Sequence, residues 1–288
     1  MQKHILFPTD FSETSHNAFS YALEIAAQFN GKITLLHVQY ESPIATQFIP
    51  TEFIKGLKEK RVESAKRVLD QYKQEARKYV GEGALTLESQ ISEGKVLQKI
   101  KEFCQTQKPD LIIMGTDGYK SVNESIRGSI TTNLIAQTEI PVMAIPHART
   151  FAPLKNLVYA LDPVHIDYVL IDRLLEYCDV LNAKLTCLYV VRSEDDESSK
   201  RMVINERLFL MEQQGKLSVA MLQQQEVIEG INAYMCDHRT DLLVMSTHNK
   251  DVGTPFSKSI TNEMVLYTEV PVMVFHTRVQ PIEAQSVQ

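Results

Sequence analysis

The 288-residue chain is about twice the length of a common domain of roughly 150 residues, so two domains are the first expectation. Thirty Lys and Arg against thirty-six Asp and Glu leave a net charge of −6, which gives no basic surplus to track a phosphate backbone and argues against nucleic acid as a partner. No apolar run approaches the roughly 18 residues of a membrane-spanning helix and the opening MQKHILFPTD lacks a signal-peptide pattern, so the expectation is a soluble, cytoplasmic chain with no membrane partner.

Taken in order, the first half predicts a strand at about 4–9, a helix at about 12–29, a strand at about 32–39 and a helix at about 50–79. A strand at about 84–90, a helix at about 94–107, a strand at about 110–115, a helix at about 129–138 and a strand at about 141–146 follow. Ala18, Tyr21, Ala22, Ile25 and Ala26 recur at helical spacing, as do Ala65, Val68, Leu69 and Tyr72, and such stripes pack on a sheet. The second half predicts strands at about 155–161, 184–191, 216–222, 241–246 and 271–276, with the acidic Ser193–Arg201 as a solvated connection into a helix. Short β-branched runs alternating with helical stretches are the pattern of a parallel sheet covered on both faces.

The two halves repeat one another. Ser129–Pro146 aligns without a gap to Ser259–His276, with eight of eighteen positions identical. Upstream, PDLIIMGT answers TDLLVMST, GKITLLHV answers AKLTCLYV, and HILFPTD answers NLVYALD, all in the same order. The predicted division is therefore one unit at 1–147, a second at 153–278 and a C-terminal tail at 279–288. Cys104, Cys178, Cys187 and Cys236 stand far apart with no C-x-x-C spacing, which predicts reduced core thiols.

An open doubly wound sheet binds ligands beyond the carboxyl ends of its strands, where the strand order reverses. Two strand ends carry unusual residues, Pro8-Thr9-Asp10 and Met114-Gly115-Thr116-Asp117-Gly118, and they flank one crevice if the first and fourth strands are neighbours. From Gly115 the spacing G-x2-G-x9-G-S runs through Gly118 to Gly128 and Ser129, ahead of a helical pattern. Glycines let backbone N–H groups approach an anion, and a helix N-terminus offers unpaired donors and a partial positive charge. A phosphate chain suits that arrangement.

These residues resemble the universal stress protein family in its tandem two-domain form, over nearly the whole chain. The resemblance implies an α/β fold of two tandem Rossmann-like domains, each with five parallel strands in the flavodoxin-like order 3-2-1-4-5. It also implies ATP, with or without magnesium, across the switch point. By that similarity Pro8, Thr9, Asp10 and the backbone of Val38 hold the adenosine end, while Met114, Gly115, Gly118, Gly128, Ser129, Ile130 and Thr131 surround the ribose and phosphates. It further implies that the fifth strands pair antiparallel, making one chain a pseudo-dimer, with a homodimer of chains left open.

The second unit departs from the pattern. Ser246 replaces Gly115, Asn249 replaces Gly118, Lys258 stands where Gly128 does, and the loop is one residue shorter. A side chain at these positions fills the space where backbone should meet phosphate, so the second unit is expected to bind ATP weakly or not at all. Simpler readings stand beside these: Asp10 with Glu13 as a capping box, Ser129 as an N-cap, and Gly115 and Gly118 as turn formers. His37 and His147 receive no role. Metal-ligand spacing, a Walker lysine and a nucleophile elbow are absent from the sequence, which favours binding over catalysis, with slow ATP hydrolysis or a nucleotide-free interaction scaffold as alternatives.

Overall fold

In the computed structural model the described residues are 2–40, 51–81, 85–116, 127–147, 149–162, 166–191, 206–248 and 260–277, with backbone alone at 51, 127–129, 248 and 277. Alternation within short apolar runs builds the strands. In β1 (His4–Pro8), Ile5 and Phe7 enter one hydrophobic layer while Leu6 enters the other, and all three are fully buried. Both faces of the sheet are thus covered, which is why the strands are apolar nearly throughout.

The first half continues as α1 (Glu13–Gln28), β2 (Lys32–Gln39), α2 (Thr51–Val80), β3 (Thr86–Glu93), α3 (Val96–Gln107), β4 (Leu111–Thr116), α4 (Arg127–Gln137) and β5 (Val142–Pro146). The second half gives β6 (Asn156–Ala160), α5 (Tyr168–Leu181), β7 (Lys184–Val191), α6 (Glu206–Gln213), β8 (Ser218–Gln223), α7 (Val227–Asp237), β9 (Leu242–His248), α8 (Ile260–Tyr267) and β10 (Val272–Thr277). The strands form one sheet in the order β3-β2-β1-β4-β5-β10-β9-β6-β7-β8. Each half therefore runs 3-2-1-4-5, with parallel neighbours inside it. At the centre β5 and β10 pair antiparallel, Met143 opposite Met273, so two edges that would otherwise stand unpaired close on each other.

Each hydrophobic layer crosses that seam and contains residues of both halves. Phe29 at the end of α1 meets Tyr177 of α5 edge to face at 5.0 Å, one of the ring contacts across the junction. No described helix is long and apolar enough to cross a membrane. All four cysteines are free; Cys104, Cys178 and Cys187 are buried as expected, whereas Cys236 is exposed on α7.

Several boundaries differ from the sequence reading. The third strand runs to Glu93 rather than 90, because it is a polar edge strand whose apolar alternation is weak. The fourth helix begins at Arg127 rather than at about 129, so Gly128 joins Ser129 in its first turn. Ser193–Arg201 and the tail 279–288 lie outside the described residues.

An aspartate at the start of each fourth strand, half-buried in the first half and buried in the second, anchors the first strand. Asp110 accepts a hydrogen bond from the His4 backbone N–H at 2.8 Å. Its counterpart Asp241 accepts from the Lys155 and Asn156 backbones and the Asn156 side chain, and Arg239 approaches its other oxygen at 3.3 Å. Burial alone would raise the Asp241 pKa, but these donors together hold it below the ordinary carboxylate value. A depressed folded-state pKa supplies stability above the unfolded value of about 3.9, and that stability is lost as pH falls through the lower folded value. Asp241→Asn should therefore cost about 1–3 kcal/mol at pH 7 in urea unfolding. The gap to wild type should shrink as pH falls below about 4; a gap constant with pH would contradict the charged role of Asp241.

Candidate functional site

The chain leaves β1 toward β2 on one side, and β4 lies on the other, with Ile5 opposite Leu111 and Leu6 opposite Ile112. The carboxyl ends of β1 and β4 consequently face a cleft of about 100 Å³. Pro8, Thr9 and Asp10 leave β1 into it, Val38 lines it from β2, Met114 and Gly115 from β4, and Ile130 and Thr131 from α4. These are eight of the eleven residues selected from the sequence. Gly118 lies outside the described residues, and Gly128 and Ser129 are placed by their backbone in the first turn of α4.

Apart from Thr116, which belongs to the unusual strand end already noted, the other lining residues carried no sequence signal of their own. Ser12, Thr14 and Ser15 enter from the first turn of α1, Leu36 from β2, Thr116 from β4, and Val96 and Ile100 from one face of α3. The i, i+4 spacing of Val96 and Ile100 marks a sheet-facing stripe, but only the strand order shows that its end reaches the cleft. The result is an apolar slot beside a wall of hydroxyls and backbone. No Lys, Arg or His is among the described lining residues, and Asp10 is their one carboxylate.

The β1–α1 turn is held by its own side chains. The Thr9 N–H donates to the Leu36 carbonyl at 2.9 Å, and Thr9 Oγ1 accepts from the Ser15 hydroxyl at 2.9 Å and from the Phe11 N–H at 3.1 Å. Phe11 adopts a left-handed conformation at φ 65°, unusual for an aromatic residue, and its ring stacks on His37 at 4.1 Å. His37 Nδ1 lies 2.9 Å from the Thr9 carbonyl, which can only accept, so that nitrogen carries the proton.

The capping-box reading of Asp10 fails. Ser12 is the N-cap of α1 and accepts from the Ser15 N–H, while exposed Asp10 accepts from the Ser12 N–H at 2.9 Å. The left-handed Phe11 adds a turn between strand and helix, moving the cap two residues on and leaving Asp10 at the cleft mouth.

Gly115 has a packing reason beside the one read in the sequence. A Cβ there would lie 2.8 Å from the Thr14 carbonyl oxygen and 2.8 Å from its methyl, so the missing side chain makes room for the first turn of α1. Thr14 is fixed from behind by His147, whose Nδ1 lies 2.8 Å from Thr14 Oγ1. In the second half Ser246 takes the glycine's place, its hydroxyl 3.1 Å from that of Tyr159. There α5 starts at Tyr168, eight residues beyond the end of β6, whereas α1 starts five beyond the end of β1, so the helix start is displaced along the chain. On the other side of that half, α7 packs onto Val190, the counterpart of Val38; a Cβ at Gly230 would lie 2.6 Å from the Val190 side chain.

One lining atom has unmet bonding capacity. Thr131 is fully buried, and its hydroxyl has no hydrogen-bond partner among the described residues. Such a group costs about 1–3 kcal/mol unless something in the cleft satisfies it. No cluster of three or more His, Cys, Asp or Glu suited to a metal ion occurs among the described residues.

Comparison with known proteins gives these features a context. The family model for universal stress proteins matches residues 1–146. Universal stress protein MJ0531 of Methanocaldococcus jannaschii is 29% identical over 150 residues, covering 50% of this chain and 82% of that protein. MJ0577 of the same organism, also a universal stress protein, is 29% identical over 158 residues, covering 50% of this chain and 95% of that one. The crystal structure of a universal stress protein from Archaeoglobus fulgidus aligns with 95% of this chain and 96% of its own at a TM-score of 0.71 and 20% identity, a likeness of fold that includes both halves.

Two substitutions separate packing from ligand chemistry. Gly115→Ala should destabilise the ligand-free protein by about 1–3 kcal/mol in chemical unfolding, by overpacking against Thr14. Thr131→Val should leave it unchanged or raise its stability by up to about 1 kcal/mol, because an unpartnered hydroxyl is removed. A marked loss in Thr131→Val would show that the hydroxyl is already bonded within the protein.

Proposed function

The chain belongs to the universal stress protein family, and we propose that its first half binds one adenine nucleotide as a regulatory ligand in a stress response. The observation that carries this reading is the convergence of Pro8, Thr9, Asp10, Val38, Met114, Gly115, Ile130 and Thr131 on one cleft, with the Thr131 hydroxyl buried and unpartnered there. The apolar slot of Val38, Ile100 and Met114 suits a flat base, and Asp10 at the mouth suits sugar hydroxyls. Gly118, Gly128, Ser129 and the first turn of α4 would hold the phosphates through backbone N–H groups, with the helix end supplying partial positive charge.

The residues present fit ATP, with or without magnesium. A bound magnesium would neutralise phosphate charge; the chain's own part is to orient the base and hold the phosphate oxygens. Phosphoryl transfer draws on positioned cations and a group that orients the nucleophile, and the described lining supplies hydroxyls, backbone and a single carboxylate. We therefore read the nucleotide as a ligand that sets conformation, with hydrolysis at most slow. In this reading residues 1–147 are the binding unit and 153–278 a second unit that has lost the motif glycines, joined as a pseudo-dimer in the cytoplasm.

ATP at a hundred times its dissociation constant should stabilise the protein by about 2.7 kcal/mol in thermal or chemical unfolding. Gly128→Leu should abolish that shift while leaving the ligand-free fold intact. Thr131→Val should weaken binding by about 2- to 10-fold, the worth of one neutral hydrogen bond. No shift at millimolar ATP and magnesium would instead favour a scaffold that binds no nucleotide.

A further inference from the structure

The strand order leaves β3 at one end of the ten-stranded sheet, and among the described residues nothing pairs with the outer edge of its eight residues. Above that edge runs α2, which carries nine Lys and Arg against five Asp and Glu, a net +4 in a chain of −6. Between them lies a groove of about 520 Å³, continued beyond Lys73 by a hollow of about 230 Å³. The floor is mainly apolar, with Val62 and the almost wholly buried Leu69 from α2 and Leu87 and Ile91 from β3, Ser89 lying between the last two.

Three cations outnumber two carboxylates, Asp70 and Glu93, along the rim. Lys66, Lys73 and Arg77 lie at i, i+7 and i+11, one stripe of α2, and all three line the groove or its continuation. Lys73 shares Asp70 at 3.4 Å, and Glu93 at the far end is drawn to Lys58 at 3.6 Å. Among the described residues Lys66 and Arg77 have no ion-pair partner. A strand edge with no described neighbour, a mainly apolar floor and a rim richer in cations than in carboxylates are the parts of a β-addition site, in which backbone bonds give affinity and side-chain pockets give selectivity.

We propose that this groove receives an extended acidic segment of a partner protein, which adds as a further strand on the outer edge of β3. Those side chains of the added strand that point toward α2 make both contacts: apolar ones rest beside Val62 and Ile91 and carboxylates face Lys66, Lys73 and Arg77, while the intervening side chains point to the opposite face of the sheet. The complementary charge selects an acidic segment over a basic one and makes association sensitive to salt. The site is independent of the nucleotide cleft, which lies at the carboxyl ends of β1 and β4.

The test uses the full chain and a fluorescein-labelled peptide of about eight residues whose odd positions alternate Glu and Leu and whose even positions are Thr, followed by fluorescence polarisation. Wild type should bind it with a dissociation constant below about 1 mM, bind the analogue with Lys in place of Glu at least about tenfold more weakly, and lose affinity as salt is raised. The double variant Lys66→Glu with Arg77→Glu should lose at least about tenfold, with its fold checked by circular dichroism. Amide exchange at 86–93 should slow when peptide is bound. The proposal is overturned if wild type binds neither peptide, binds both equally, or shows no change in exchange along β3. Binding to phosphatidylserine vesicles in place of the acidic peptide would likewise overturn it and assign the basic helix to a membrane surface.

Discussion

The first turn of α1 rests on Gly115 of β4 so closely that a single added carbon would meet the Thr14 backbone at 2.8 Å. Much of the cleft depends on that contact. It brings Thr14 and Ser15 into the wall, and Ser15 then bonds Thr9, which fixes the turn that carries Asp10. The second half meets the same geometric problem differently, with a serine bonded to Tyr159 and a helix that begins later after its strand. Loss of the glycine there is first a change in how helix packs on sheet, and a change in what the cleft could bind follows from it.

The same helix ties the halves together. Thr14, Asn17 and Tyr21 lie at helical spacing on one face of α1 and all meet the connecting segment: the His147 ring, the Arg149 carbonyl at 2.6 Å and the Thr150 carbonyl at 3.2 Å. Arg149 in turn approaches buried Asp241 at the start of β9, at 3.9 Å. With β5 and β10 paired at the centre and each hydrophobic layer continuous across them, the wall of the first cleft and the frame of the second half share rigid elements.

The fold was largely legible in the sequence because apolar runs and helical stripes are local signals and the repeat supplied each element twice. The strand order was not local: it came from the family resemblance, and periodicity alone could not place β4 beside β1. The cleft residues on strand ends were readable because Pro8–Asp10 and Met114–Gly115 are unusual for strand termini. Thr14, Ser15, Leu36 and Ile100 were missed because their residue types are ordinary and only tertiary placement brings them in. One local reading failed and another was incomplete, both for physical reasons. A left-handed Phe11 moved the cap from Asp10 to Ser12, and a helix turn also excludes a side chain at Gly115, a packing constraint that spacing alone did not show.

The account rests on one working cleft in a chain with two related halves. The most direct measurement is to denature the freshly purified protein, separate what it releases by chromatography and count adenine nucleotide per chain, repeating the count after equilibration with ATP. About one nucleotide per chain is the result this account predicts. Two would contradict the loss of binding in the second half, and none in either preparation would contradict the first cleft as a nucleotide site.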